Sequence, residues 1–357
     1  MKKIGIVLGA LVVFALFSIG LVVAQEATPE MTPEMMDRTD WPERFILGVY
    51  PGDNVEEALA SIEPLRVYLE EQLGIPVELV TGTSYTAVIE AMRAGNADGM
   101  EVGPFSYVLA AQEANAEAIA VANFQEGITV EQAQAIDTEA LPGYYSLLFT
   151  LKGSGIASIA DLAGRSFAFT DPASTSGYLI PATSIMTAMT FEEPTQIEEF
   201  AEIVFAGNHP SAVLSVANGT TDAGATFDGS LPAQADEGLI ELCGYDAETG
   251  EFPYYNPMTQ AEIDAIYEEC PEGNIVVFAQ SSVIPETPFA VRGDLPESFK
   301  AAVKTALLAI ASDTDLVVAI ERFYVDPSMW LGLESLDNLY DGLRDTATLL
   351  DLDLNAR

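Results

Sequence analysis

From Phe45 to Phe323 the chain alternates short apolar runs with longer amphipathic ones. Phe45–Tyr50 is a compact apolar run ended by Pro51-Gly52, the pattern of a buried strand and its loop. Asn54 is placed to cap a helix over Val55–Leu73, apolar at Ala58, Leu59, Ile62, Leu65 and Leu69, with Gly74 and Pro76 stopping it. Strand Val77–Val80, helix Tyr85–Ala94, strand Gly99–Val102, helix Ser106–Ala116 and strand Ala118–Ala122 follow. A second series opens with strand Tyr145–Leu151. A helical turn at Ile159–Leu162, strand Ser166–Thr170, helix Ser174–Met189, strand Glu202–Phe205, helix Ser211–Asn218 and strand Ala223–Thr226 continue it. An irregular aromatic and acidic stretch lies between Cys243 and Cys270. Beyond it the pattern predicts strand Ile275–Ala279 and helices Pro296–Ser312 and Asp315–Phe323.

Strand and helix alternate in both series, so the expected class is α/β, with two doubly wound units built on mainly parallel sheets. The runs at 145–151 and 275–279 are the candidates for strands crossing between the units. In open α/β sheets, ligands collect where strands end and helices begin, so functional residues are expected just after strands.

Lys2 and Lys3 precede an apolar run from Ile4 to Ala24. Residues 1–24 read either as a signal peptide cleaved after Ala24 or as an uncleaved membrane anchor; either places the rest outside the cytoplasm. Residues 25–44, rich in Thr, Pro and Glu, read as a disordered linker. In that compartment Cys243 and Cys270, the two cysteines of the chain, are expected to form a disulfide.

Composition narrows the chemistry. With 14 Lys+Arg against 55 Asp+Glu, the formal charge of −41 leaves too few cations for a nucleic-acid surface. One histidine and two distant cysteines argue against a zinc site. No cofactor motif is present in the sequence.

The most informative stretch is Phe169-Thr170-Asp171-Pro172-Ala173-Ser174-Thr175-Ser176-Gly177-Tyr178. A strand ends, Asp171-Pro172 turns, and hydroxyls crowd a helix start whose free N–H groups and dipole suit an oxyanion. Ordinary N-capping explains the same residues. His209 is expected in a strand-to-helix loop, where a bound anion would raise its pKa. Asp228 follows a strand and reads equally as a ligand group or as a carboxylate satisfied by loop N–H groups. Tyr50, Phe105 and Tyr107 follow strands of the first unit and are placed either to close over a small ligand or to fill core. A hydrolase would use Ser174 or Ser176 as nucleophile, His209 as base and Asp228 as its orienter, although no Gly-x-Ser-x-Gly elbow is present.

The segments GVYPGDN, VGPFSYVLAA, YYSLLFTLKGSGI, SIADLAGRSFAFTDPASTSGYLIP, VFAGNHPSAVLSVANGTTDAGAT and SSVIPETPFAVRGDLP occur in this order. Over Phe45 to Tyr324 they resemble the substrate-binding proteins of phosphonate, phosphite and phosphate ABC transporters, the PhnD-like group. That resemblance implies a type II periplasmic-binding fold: two α/β lobes on a hinge, with the ligand cleft between them. It implies lobe I from residues 45–148 and 277–357, the latter including a C-terminal helical tail, and lobe II from 149–276. It further implies that Ser174, Thr175, Ser176 and Gly177 with His209 hold a small phosphorus oxyanion. Tyr50 and Tyr107 would oppose them, and Asp228 would lie near the phosphorus substituent. The implied partners are that anion and a membrane permease, with a monomer as the working state and no enzymatic step. The rival readings are another small anion such as a sulfonate, an extracytoplasmic sensor, or the hydrolase above.

Overall fold

The computed structural model describes residues 38–50, 55–125, 127–350 and 352. The apolar run at 4–24, most of the linker and the Pro51–Asn54 loop with its capping Asn54 lie outside these residues.

The first half runs β1 (Phe45–Val49), α1 (Val55–Leu73), β2 (Val77–Thr81), α2 (Tyr85–Arg93), β3 (Gly99–Glu101), α3 (Pro104–Glu113), β4 (Ala116–Phe124) and α4 (Val130–Ala133). It is followed by β5 (Gly143–Tyr144), β6 (Ser146–Leu151), β7 (Ser166–Phe169), α5 (Ile180–Met189), α6 (Thr195–Phe200), β8 (Glu202–Phe205), α7 (His209–Ala217), β9 (Ala223–Phe227), α8 (Ser230–Asp236) and α9 (Gln260–Glu269). The chain closes with β10 (Ile275–Gln280), β11 (Ile284–Pro285), β12 (Pro288–Arg292), α10 (Glu297–Ala309), α11 (Thr314–Ile320), β13 (Arg322–Val325), α12 (Ser328–Leu331) and α13 (Asp341–Leu349).

Two sheets result. The first has the order β13-β4-β12-β3-β1-β2 and the second β10-β6-β9-β7-β8. β1 to β4 share one direction, as the alternation predicts, whereas β12 and β13 run against β4. In the second sheet β6 is the reversed strand. β12 escapes a reading by alternation because its prolines and short length hide it. β13 replaces the end of the helix expected over Asp315–Phe323. Glu321 takes a left-handed conformation (φ 55°) and stops α11 early with no glycine to signal it.

Period-two burial shows how the strands are held. In β6, Leu147 and Phe149 enter one apolar cluster with Val213, Val216 and Ile275, while Leu148 enters the cluster on the opposite face. That second cluster is continuous from α2 and α3 of the first half to α5 of the second, through Val88, Phe105, Phe169, Leu179 and Ile185. Each such side chain contributes roughly 1.5–3 kcal/mol by leaving water. At Gly48 a Cβ would lie 2.8 Å from Val88, so the glycine lets α2 settle onto β1.

The passage between sheets is a two-residue antiparallel ladder in which Tyr144 faces Ile284 and Gly143 faces Pro285. β6 and β10 themselves pair inside the second sheet. The boundaries expected at 148/149 and 276/277 therefore cut through strands, and the crossings lie at β5 and β11.

Two further expectations need correction. The end of the predicted linker is docked: Trp41 packs edge-on against Phe299 at 5.2 Å and donates from Nε1 to Ser298 at 3.0 Å. Arg38 donates to the Leu73 carbonyl at 3.1 Å. The stretch between the cysteines is not wholly irregular, because Thr259 and Glu262 form a capping box that starts α9. The expected Cys243–Cys270 disulfide is formed.

Candidate functional site

β7 ends at Phe169, and the chain turns through Asp171, whose carboxylate accepts the Ala173 N–H at 2.8 Å. Ser174 then caps the next element, its Oγ accepting the Gly177 N–H at 3.1 Å. Residues 175–179 form a widened π-type turn before α5, in place of the continuous helix expected from Ser174. Such turns recur at functional sites because they spread consecutive N–H groups apart. Gly177 has a steric reason: a Cβ there would fall 1.9 Å from the Thr170 hydroxyl. Its N–H is already held by Ser174, so Gly177 supports the turn and offers a ligand no donor of its own.

Ser174, Thr175 and Ser176 are all buried, and the turn that carries them is bonded to the first half of the chain. The Phe105 N–H at the start of α3 donates to Thr175 Oγ1 at 2.9 Å, and Ser106 Oγ donates to the Ala173 carbonyl at 2.8 Å. Thus two helix starts, one from each half, meet directly.

Tyrosines complete the cluster. Tyr50 and Tyr85 stack in parallel, 4.0 Å between centroids and 5° between planes. Burial pushes the Tyr85 phenol well up, and a hydrogen bond with the Ser174 side chain works against that push. Burial likewise raises the Tyr144 phenol, and hydrogen bonds with the Thr175 and Ser176 side chains work against it. Tyr85 and Tyr144 were not among the sequence candidates. The sequence pattern makes Tyr85 the start of an amphipathic helix and Tyr144 the residue before a strand; only the fold brings them to one place.

His209 is the first residue of α7, capped by Asn208, and does not sit in the expected loop. Its Nδ1 lies 2.9 Å from Thr226 Oγ1 and its Nε2 3.4 Å from Ser174 Oγ, with Phe227 edge-on to the ring at 4.9 Å. Burial pushes its pKa down to about 3, so without a ligand the imidazole is neutral.

Asp228 accepts the N–H groups of Tyr145 at 3.1 Å and Gly229 at 3.0 Å. Burial raises its pKa to about 7 in spite of these bonds. Glu286, just past the ladder, is also raised to about 7, by burial first and then by the charges of Asp228 and Glu101. A hydrolase would need Asp228 on His209 Nδ1; Thr226 occupies that position.

Two expected residues fall elsewhere. The Phe105 ring is core, and only its N–H reaches the cluster. Tyr107 points away: its hydroxyl donates to Asp337, its ring packs on Tyr340 at 5.1 Å, and it lines a separate groove of about 680 Å³ with Ser335 and Arg344. Two residues of helix turn the side chain through about 200°, so Phe105 and Tyr107 cannot share a face.

The cluster is thus a closed set of neutral donors, without a lysine or arginine among the residues named, beside two carboxyls with raised pKa values. Hydroxyls and amide N–H groups suit an oxyanion, and the carboxyls mark one side of the space as proton-rich or cation-seeking.

A family model described as "ABC transporter, phosphonate, periplasmic substrate-binding protein" matches residues 47–327. The phosphate-import protein PhnD of Mycolicibacterium smegmatis is 34% identical over 199 residues, 55% of this chain and 59% of that protein. The phosphonates-binding periplasmic protein of Escherichia coli is 28% identical over 202 residues, 55% of this chain and 54% of that protein. The chain therefore matches somewhat over half the length of these curated relatives. In fold it is similar to PhnD1 of Prochlorococcus marinus solved with methylphosphonate, with a TM-score of 0.59 at 17% identity over 87% of this chain and 99% of that one. It is also similar to a binding protein component of a Pseudomonas aeruginosa phosphonate transporter, with a TM-score of 0.57 at 18% identity over 87% and 94%. With most of its length matched by the family model and the two-sheet architecture shared with solved structures, the chain belongs to the family of periplasmic substrate-binding proteins of phosphonate ABC transporters.

Proposed function

We propose that this chain captures a small phosphorus oxyanion, a phosphonate, phosphite or phosphate, between two lobes and delivers it to a membrane permease. Lobe I comprises the β1–β4 half with the chain from β12 onward, lobe II carries β6–β10, and β5 and β11 form the hinge between them. Ligand contacts from both lobes favour the closed arrangement. The protein works as a monomer and binds without chemical turnover. Family membership implies a site of action outside the cytoplasm. The apolar run at Ile4–Ala24 exports the protein, and either cleavage or retention of that run fits this role.

The observation that carries this reading is the meeting of the Ser174–Ser176 turn with the start of α3, where Phe105 N–H reaches Thr175 across the two sheets. Ser174, Thr175, Ser176, Tyr50, Tyr85, Tyr144 and His209 supply the donors, and Asp228 faces the substituent on phosphorus. A net charge of −41 does not forbid an anion, because charges beyond a Debye length of about 8 Å are largely screened.

Calorimetry with phosphite, methylphosphonate, aminoethylphosphonate, phosphate and sulfate tests the assignment. Tight binding to at least one phosphorus compound and weak binding of sulfate are expected; tight binding to sulfate alone overturns it. Ser174→Ala, Thr175→Ala and His209→Ala each remove a donor to a buried charge and should weaken binding by about 1–3 kcal/mol. Unchanged affinity in all three removes the site. Asp228→Asn should weaken aminoethylphosphonate and spare phosphite.

A further inference from the structure

A buried hydroxyl hydrogen left without an acceptor is costly, and that cost sets the direction of the bonds around His209. Thr226 is fully buried, and its hydroxyl lies 2.9 Å from His209 Nδ1. If Nδ1 carried the hydrogen, Thr226 would accept it and its own hydrogen would face the buried ring with no described partner. With Thr226 donating, both atoms are satisfied and the hydrogen of the neutral ring sits on Nε2. From there it points at Ser174 Oγ, 3.4 Å away, an oxygen that also accepts the Gly177 N–H. Ser174, with these two donors on its oxygen, has its own hydrogen left to give.

We propose that Thr226 is a positioning residue that fixes His209 as a neutral Nε2–H donor. A one-way chain, Thr226 to His209 to Ser174, then leaves a hydrogen and no lone pair on the Ser174 hydroxyl for the ligand. Phe227, the next residue on β9, braces the ring edge-on at 4.9 Å, so one strand end sets both the tautomer and the orientation. The burial that keeps the ring uncharged acts in the same sense. The consequence is selective. The ligand oxygens meeting this side must be acceptors only, so a fully ionised oxyanion face is favoured over one carrying a hydroxyl, as in a singly protonated phosphonate. This deepens the phosphorus-oxyanion reading and rests on it for the identity of the ligand, though not for the tautomer.

The sequence contains one histidine, so its imidazole nitrogens can be observed without assignment ambiguity. Long-range proton–nitrogen correlation on the ¹⁵N-labelled full chain, free of ligand, should show Nδ1 unprotonated and Nε2 protonated, unchanged from pH 5 to pH 8. Thr226→Val keeps the shape and removes the hydroxyl; the pure Nε2–H form should be lost. Methylphosphonate affinity should then fall about tenfold, and Thr226→Ser should restore both. An Nδ1–H ring in the unaltered chain overturns the proposal, as does a Thr226→Val ring that keeps its tautomer. If Thr226→Val fails to fold, the spectrum of the unaltered chain decides alone. Failure of methylphosphonate to bind any of these proteins, with the tautomer as expected, counts against the ligand and leaves the hydrogen-bond chain standing.

Discussion

Two acidic centres among the described residues are treated in opposite ways. At the end of β3, Glu101 is clasped by the Arg322 guanidinium and the Tyr324 hydroxyl, all three residues buried in the first sheet and its surroundings. Near the ladder, Asp228 and Glu286 have backbone N–H groups and a threonine for company but no described cation, and burial lifts both to about 7. The first arrangement gives each charge a partner and asks nothing of the surroundings. The second leaves charge without compensation near the buried hydroxyl cluster, an arrangement costly for stability and typical of sites that work on something else.

The largest effect should come from breaking the compensated centre. Arg322→Met leaves Glu101 charged and unpaired and should cost about 3–5 kcal/mol in urea unfolding. Adding Glu101→Gln should return much of it, because a neutral amide no longer needs the cation. If Arg322→Met alone costs under 1 kcal/mol, the two centres are not different in kind.

The uncompensated centre should respond with the opposite sign. A carboxyl whose pKa is raised on folding stabilises the protein below its unfolded value near 4, and that contribution is lost as pH rises through the folded value of about 7. The ligand-free protein should therefore lose stability between pH 5 and pH 8, by about 1–3 kcal/mol. Asp228→Asn and Glu286→Gln should each flatten the slope and, at pH 8, raise Tm. A slope unchanged in both variants would show that the general negative charge of the chain, and not this pair, sets it.

The contrast also marks how far the sequence could be read. Strand β6 and the long helix α1 were legible because burial on fixed faces imposes periods of two and 3.6. The Ser174 turn, His209 and Asp228 were legible because they follow strands, where open α/β sheets gather their ligands. Tyr85, Tyr144 and Glu286 were not, since their significance lies in which remote residues they meet, and no local pattern encodes that. Tyr107 misled for a related reason: it too follows a strand, yet its place on α3 turns it toward Asp337 and Tyr340. β13 hid behind an apolar helix whose stop is a left-handed glutamate, a residue that carries no turn signature.

The smallest of these effects separates His209 from its acidic neighbours. Its pKa is pushed down by burial, so the unfolded chain binds a proton that the folded chain refuses. The associated stability is fully present above the ordinary histidine value of about 6.5 and is lost as pH falls toward about 3. The carboxyls gain stability over the same fall in pH, so the two kinds of group pull in opposite directions, and with one ring set against two carboxyls the gain in ligand-free stability should become shallower below pH 6. His209→Gln removes only the acid limb. At pH 5.5 it should narrow the gap between variant and parent by about 1.4 kcal/mol relative to pH 8, as one unit of unshared protonation requires. A gap independent of pH would mean that the ring titrates alike in the folded and the unfolded chain; a gap that widens at pH 5.5 would mean that the folded ring is charged, and that the anion site is built around a cation after all.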